Sequence, residues 1–249
     1  MNRRDVEIAT ADGVFDAGLH TPDGSGPWPA VIMYPDAGGR RDTMHAMAQR
    51  LADLGYAVLV PNFYYRLGDY EPFDLATAFS DADERQRIFA MIQSVTTENI
   101  TADTAAMLEF LAAAPEVADG KVGTTGYCMG GRISFAMAGR FPDRVGAAAS
   151  FHGGGLATDA PDSPHLLAAA ITAKVYVAGA ENDGSFDEAQ FSRLSQALTE
   201  AGVDHTLVTY PALHGFAVPD LPVYDEPAAE RHWEAMEELF GSVLQSGQE

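Results

Sequence analysis

The chain has 249 residues, with 36 Asp and Glu against 15 Lys and Arg, for a formal net charge of −21 at pH 7. A field of that sign repels phosphate backbones and anionic lipid, which argues against nucleic acid as a partner. Hydrophobic residues make up 47% and charged residues 20%, which excludes a disordered chain, a collagen and a coiled coil.

Met1 to Glu7 lacks the apolar stretch of a signal peptide, and acidic residues follow at once. No apolar run is long enough to span a bilayer, so the chain reads as soluble and cytoplasmic with no membrane partner. Its one cysteine, Cys128, excludes an intramolecular disulfide and every multi-cysteine metal motif. Without a linker or repeat, residues 1–249 read as a single domain.

Val6 to Ile8 and Val14 to His20 predict an antiparallel hairpin around Asp12-Gly13 at one sheet edge. A strand follows at Ala30 to Tyr34. Next comes an amphipathic helix through Met44, Met47, Leu51 and Leu54 that ends at Gly55, and then a strand at Tyr56 to Val60. Residues 63–95, rich in Tyr, Phe and Asp, break the alternation at a strand's carboxyl end and form a candidate lid over the ligand crevice. Beyond them a helix is expected over Asn99 to Ala114, a strand over Lys121 to Thr125, a helix over Gly131 to Arg140 and a strand over Val145 to Phe151. Strands at Lys174 to Ala178 and Thr206 to Tyr210 flank a helix at Phe186 to Ala201, and Trp233, Met236, Phe240 and Val243 stripe a last surface helix. That order predicts an α/β fold, a mostly parallel central sheet with helices on both faces.

Gly126-Tyr127-Cys128-Met129-Gly130-Gly131 lies between a strand and a helix and has the G-x-C-x-G pattern of a nucleophile elbow, with cysteine in place of serine. A nucleophile on so sharp a turn crowds the residues two positions away, and glycine at 126 and 130 removes their side chains. The elbow fold supplies an acid and then a base further along the chain. Asp183 suits the acid, with Glu181 and Asp187 as competitors, and His214 suits the base. His20, His45, His205 and His232 fall within regular elements and His165 in a Pro/Asp-rich loop, whereas His152, just past a strand, stands as a second candidate for the base or as a residue lining the site. Backbone N–H groups of Ala37 and Met129 are the expected oxyanion donors. Asp36 is expected near the nucleophile. Tyr34, Tyr64, Tyr65, Phe151 and Phe216 adjoin strand ends and suggest an aromatic pocket for a planar substrate, and Arg66 is read either as a substrate-anion site or as a structural ion pair.

These residues resemble the dienelactone hydrolase family of α/β-hydrolases. The resemblance rests on the elbow, Asp183, His214-Gly215-Phe216 and the block from Gly55 to Arg66. It implies the α/β-hydrolase fold and a Cys128, His214 and Asp183 triad. It also implies an acid that helps deprotonate the thiol, here Asp36 where the family's type enzyme carries glutamate. Of the two arginines that grip the substrate carboxylate in that enzyme, one position holds Val218 here, and Arg85 or Arg87 is the candidate for the other.

The function expected is hydrolysis of an activated ester or lactone through a cysteine acyl-enzyme, of the carboxymethylenebutenolidase type. A general carboxylesterase or thioesterase, and a non-catalytic binding module, are the alternatives. The histidines lack paired metal-ligand spacing and Gly153-Gly154-Gly155 is too short for a dinucleotide fingerprint, so no metal and no cofactor are expected. The partner expected is a small-molecule substrate, for a monomer or weak homo-oligomer.

Overall fold

The apolar β-branched runs pair into one eight-stranded sheet in a computed structural model, which describes residues 2–245. The expected domain limits, 1 and 249, lie outside the described residues. The strands are β1 (Asn2–Thr10), β2 (Gly13–Thr21), β3 (Ala30–Tyr34), β4 (Ala57–Pro61), β5 (Val122–Tyr127), β6 (Val145–Phe151), β7 (Lys174–Ala180) and β8 (His205–Tyr210). Their order across the sheet is β1-β2-β4-β3-β5-β6-β7-β8. β1 and β2 form the expected hairpin, and β2 joins β4 antiparallel; every other pairing is parallel. The hairpin turn sits one residue earlier than expected, because Thr10 pairs with Gly13 and leaves Ala11 and Asp12 as the loop.

The alternation of side chains along each strand divides the core in two. Val31, Met33, Val58 and Val60 face Met44, Met47 and Leu51 of α1 (Asp42–Ala52) and Trp233, Met236 and Phe240 of α6 (Glu226–Leu244). Ile32, Leu59, Val175 and Val177 pack on the opposite face. Covering that face are Met107, Leu108 and Leu111 of α3 (Thr97–Ala113), Ile133 and Met137 of α4 (Met129–Arg140), and Leu194 and Leu198 of α5 (Glu188–Glu200). Helices thus cover both faces, as the sequence pattern requires.

The segment 63–95 holds more regular structure than expected. A short 3-10 turn at Tyr65–Leu67 is followed by α2 (Ala82–Ser94), which Asp81 caps by accepting the N–H groups of Asp83 and Glu84 at 3.0 and 2.9 Å. Ile88 of α2 packs with Leu75, Ala78 and Ala37, which ties the excursion to the loop after β3.

Candidate active site

β3, β5, β6, β7 and β8 run parallel, so their carboxyl ends open on one edge of the sheet, where ligands bind in open α/β folds. Cys128 follows β5 directly and precedes α4, with φ 53° and ψ −115°. Positive φ is costly for a side chain this close to the backbone, and the flanking glycines explain how the turn is tolerated. A Cβ at Gly126 would stand 2.1 Å from the Gly130 carbonyl oxygen, and one at Gly130 would stand 2.1 Å from that of Tyr34. The Cys128 N–H is shared between the Phe151 carbonyl and His152 Nδ1, each at 3.2 Å. Whereas Asp and Thr side chains cap α2, α3, α5 and α6, α4 has no side-chain cap. The orphan N–H groups of its first turn therefore face the cysteine end of the site.

His214 Nδ1 donates to Asp183 Oδ2 at 2.7 Å. Ser185 holds the other oxygen with its hydroxyl at 2.6 Å and its N–H at 2.8 Å. Burial raises the Asp183 carboxyl, but the His214 and Ser185 hydrogen bonds outweigh it and hold the pKa at about 2. Burial also pulls the His214 imidazole down, yet the Asp183 hydrogen bond and the adjoining Cys128 thiol outweigh it and hold the pKa up at about 10. Of the two competing acids, Asp187 caps α5 through the Gln190 N–H and Glu181 is exposed.

His152, at φ 39°, is fully buried; burial together with His214 and His232 pushes its pKa well below the ordinary value. It lacks the carboxylate partner that His214 has, and its ring meets His214 and Phe216 edge to face at 5.2 and 5.0 Å. His152 therefore lines the site as a neutral wall.

The loop after β3 departs from expectation at Asp36. Arg41 donates to both Asp36 oxygens, Nη1 to Oδ1 at 2.7 Å and Nη2 to Oδ2 at 3.0 Å, and the Gly38 N–H adds a bond to Oδ1 at 2.9 Å. A carboxylate so engaged is a strut of the loop, with both oxygens bonded to Arg41 in this structure. Arg41 continues to Asp220 at 2.7 and 2.8 Å. Ala37, beside Asp36, lines the site, and its N–H has no hydrogen-bond partner among the described residues. The Tyr64 hydroxyl donates to the Ala37 carbonyl at 2.9 Å, so Tyr64 supports this loop from behind.

Cys128, His214, His152, Ala37, Met129 and Asp36 share one cavity of about 650 Å³, a size that accepts a small organic ligand. The rest of its wall is mostly apolar: Leu75, Phe79, Phe89 and Ile92 from the excursion, with Leu221 and Val223 opposite. Several residues expected to bind substrate lie elsewhere. Tyr34 stacks on Phe63 and bonds Thr104 Oγ1 at 3.0 Å beneath the sheet. Tyr65 donates to Asp103, and Arg66 is clamped between Asp103 and Asp12, so Arg66 is the structural ion pair. Phe151 packs between Tyr127 and His232, and Phe216 stacks on Tyr210. Arg85 is exposed on α2 and outside the cavity, and Val218 is buried. The aromatic residues that do line the cavity, Phe79 and Phe89, were missed; the only sequence signal was their position in the segment read as a lid.

Among the described residues, no helix is long and apolar enough to cross a membrane, and no group of three His, Cys, Asp or Glu side chains is placed to hold a metal ion. The family model described as "Dienelactone hydrolase family" matches residues 15–244. A protein of Methylorubrum extorquens named "Putative carboxymethylenebutenolidase" is 27% identical over 95% of this chain and 79% of its own length. The crystal structure of the dienelactone hydrolase-like promiscuous phosphotriesterase P91, from metagenomic libraries, superposes with a TM-score of 0.76 at 28% identity over 97% of this chain and 98% of that one. Dienelactone hydrolase from Anabaena variabilis shares the fold, with a TM-score of 0.67 at 17% identity over 98% of each chain.

Proposed function

The chain belongs to the dienelactone hydrolase family, and we propose that it cleaves activated esters or lactones through an acyl-enzyme on Cys128, a reaction of the carboxymethylenebutenolidase type. The observation that carries this reading is the 2.7 Å bond between His214 and Asp183 beside a cysteine held at φ 53° on the strand-to-helix turn.

With Nδ1 bonded to Asp183, the histidine directs Nε2 toward the thiol and takes its proton. The thiolate attacks the carbonyl carbon. The Ala37 and Met129 N–H groups receive the developing oxyanion, Met129 at the open start of α4. Collapse of the tetrahedral intermediate breaks the bond to the leaving oxygen, which the imidazolium protonates. Water then gives a proton to the neutral His214, attacks the thioester carbon, and returns the thiolate and a carboxylic acid. In the same reading the segment 63–95 covers the cavity, with Leu75, Phe79, Phe89 and Ile92 shielding the acyl group from bulk water.

Thiol chemistry selects the substrate. A tetrahedral intermediate expels its better leaving group, and a thiolate leaves more readily than an ordinary alkoxide, so a simple alkyl ester mostly reverts. Enolates and phenolates escape that competition. The test is release of p-nitrophenol from p-nitrophenyl acetate by the wild type and by Cys128→Ala, with phenyl and ethyl acetate compared on the wild type. Turnover lost in the variant and phenyl acetate favoured support the reading. Equal turnover by both proteins, or no turnover of the nitrophenyl ester, overturns the cysteine mechanism, and equal rates on phenyl and ethyl acetate point to a general carboxylesterase.

A further inference from the structure

Of the thirteen phenylalanines only two are exposed, Phe79 at 48% and Phe89 at 49%, and both line the cavity at Cys128. Neither ring meets another ring or a cation among the described residues, whereas Phe73, on the same excursion, packs beside Tyr70 and carries the Arg87 guanidinium on its face. Exposed aromatic surface gains free energy when it is covered, and two such rings on one wall form an apolar surface that a ligand can cover.

Strand order says which part of an ester reaches that wall. Along the sheet edge Cys128 follows β5, with His214 past β8 to one side and Ala37 past β3 to the other; the excursion after β4 packs on Ala37 through Ile88. A carbonyl carbon bonded to Cys128 turns its leaving oxygen toward His214, so its acyl chain runs the opposite way, toward Phe79 and Phe89. The cavity is about 650 Å³, of which an acetyl group fills little.

The excursion contributes no charged side chain to the cavity. Arg132 borders it, but the Arg132 Nη1 end lies close to Gly155, which lines a smaller adjoining cavity and not this one. The net charge of −21 opposes an incoming anion, and a carboxylate pressed on phenylalanine rings loses hydration that nothing there replaces.

We propose that Phe79 and Phe89 are the specificity-determining residues of this cavity, and that the ester cleaved there has an uncharged acyl chain ending in an arene. The proposal rests on the hydrolase reading for the placement of the acyl chain, but the arene site can be tested without turnover.

With p-nitrophenol as the common leaving group, kcat/KM for the 3-phenylpropanoate should exceed that for the acetate by at least about tenfold, from the apolar area covered. It should exceed that for the heptanoate, which matches it in length, by about fivefold, from ring contact. Phe79→Leu combined with Phe89→Leu keeps the wall apolar and brings the phenylpropanoate and heptanoate level. The hemiglutarate is cleaved no faster than the valerate. By calorimetry, 3-phenylpropanamide binds the wild type about fivefold more tightly than the double variant. Ester cleavage with the same phenylpropanoate to heptanoate ratio in both proteins, or with the hemiglutarate favoured over the valerate, overturns the proposal and leaves the hydrolase reading intact. Amide binding that depends on the two phenylalanines, in a protein that cleaves none of the esters, supports the arene site and removes the hydrolase reading.

Discussion

Asp183→Asn tests the electrostatic core of the site. In the wild type the Asp183 pKa falls from its ordinary 3.8 to about 2, which corresponds to about 2.4 kcal/mol at roughly 1.36 kcal/mol per pH unit. The rise at His214, from 6.5 to about 10, is larger because the Cys128 thiol adds to it. Burial and the Ser185 hydrogen bonds also enter the Asp183 shift, so the smaller figure is a net for the carboxylate in its whole setting. In the variant His214, having lost the hydrogen bond and charge of Asp183, should titrate below its wild-type value of about 10, as followed by its Cε1–H resonance. A lost carboxylate also releases the ring to turn over, and kcat on p-nitrophenyl acetate should drop by about 10³–10⁴, as when the acid of a serine triad is made neutral. The sign for stability follows from the same shift. A raised histidine pKa stabilises the fold fully below about 6.5 and loses that contribution as pH rises through about 10, so wild type and variant should converge in urea midpoint at high pH. A His214 resonance within half a pH unit of wild type in the variant would refute the pairing on which the mechanism depends.

Gly130→Ala places a Cβ 2.1 Å from the Tyr34 carbonyl oxygen, a backbone atom that cannot step aside. The loss of stability in urea denaturation should reach or exceed the roughly 3 kcal/mol typical of severe overpacking, and a midpoint equal to wild type would sink the steric account of the elbow. Acid should weaken the fold before the carboxylates titrate. Burial holds His45 and His232 neutral with pKa values of about 3, so together they should cost about 3 kcal/mol at pH 5.5 relative to pH 7.5, stability being lost as pH falls below the unfolded value near 6.5. Urea midpoints at the two pH values check this, and His232→Gln should lose about half the difference. Tyr64→Phe removes the donor to the Ala37 carbonyl and should lower kcat more than it changes KM, by up to about tenfold, since a hydrogen bond of this kind is worth about 1 kcal/mol; unchanged kcat would mean the loop holds its shape without Tyr64.

The parallel strands were legible because Ala30 to Tyr34 and Val145 to Phe151 are buried throughout and read as unbroken apolar runs. The elbow was legible because a steric requirement writes glycine at fixed offsets from Cys128. The excursion was not. α2 gathers its charges, Asp83, Glu84, Arg85 and Arg87, in its first half and buries only Ile88 and Met91, so its helical period is short and its packing on Leu75 and Ala78 fixes its path. The same cause misassigned the aromatic pocket. Tyr34 and Phe151 adjoin strand ends, but side-chain alternation turns them under the flanking helices, while Phe79 and Phe89 reach the cavity from a segment whose direction no local pattern sets. Arg41 and Asp220 are 179 residues apart, and nothing in either neighbourhood announces the other.

That pairing gives the acid after β3 a structural part in the site. The resemblance implies that Asp36 helps deprotonate the thiol, and His214, whose pKa is held up by Asp183 in the loop after β7, is a second acceptor for that proton. In the structure Asp36 joins Arg41, Asp220 and Thr43, whose hydroxyl donates to Asp220 at 2.7 Å, in a continuous network. One end of it fixes the backbone on which Ala37 sits. The other grips the chain six residues past His214, in the same loop that turns His214 toward Asp183. Donor and base sit on loops from strands that do not touch in the sheet, since β3 and β8 are separated by β5, β6 and β7. Their relative position therefore depends less on the sheet than on this charged strap across its edge, which is satisfied at every oxygen facing the arginine. A half-satisfied network at this depth would cost stability; this one is closed, and it commits a half-buried cation to the geometry between two loops.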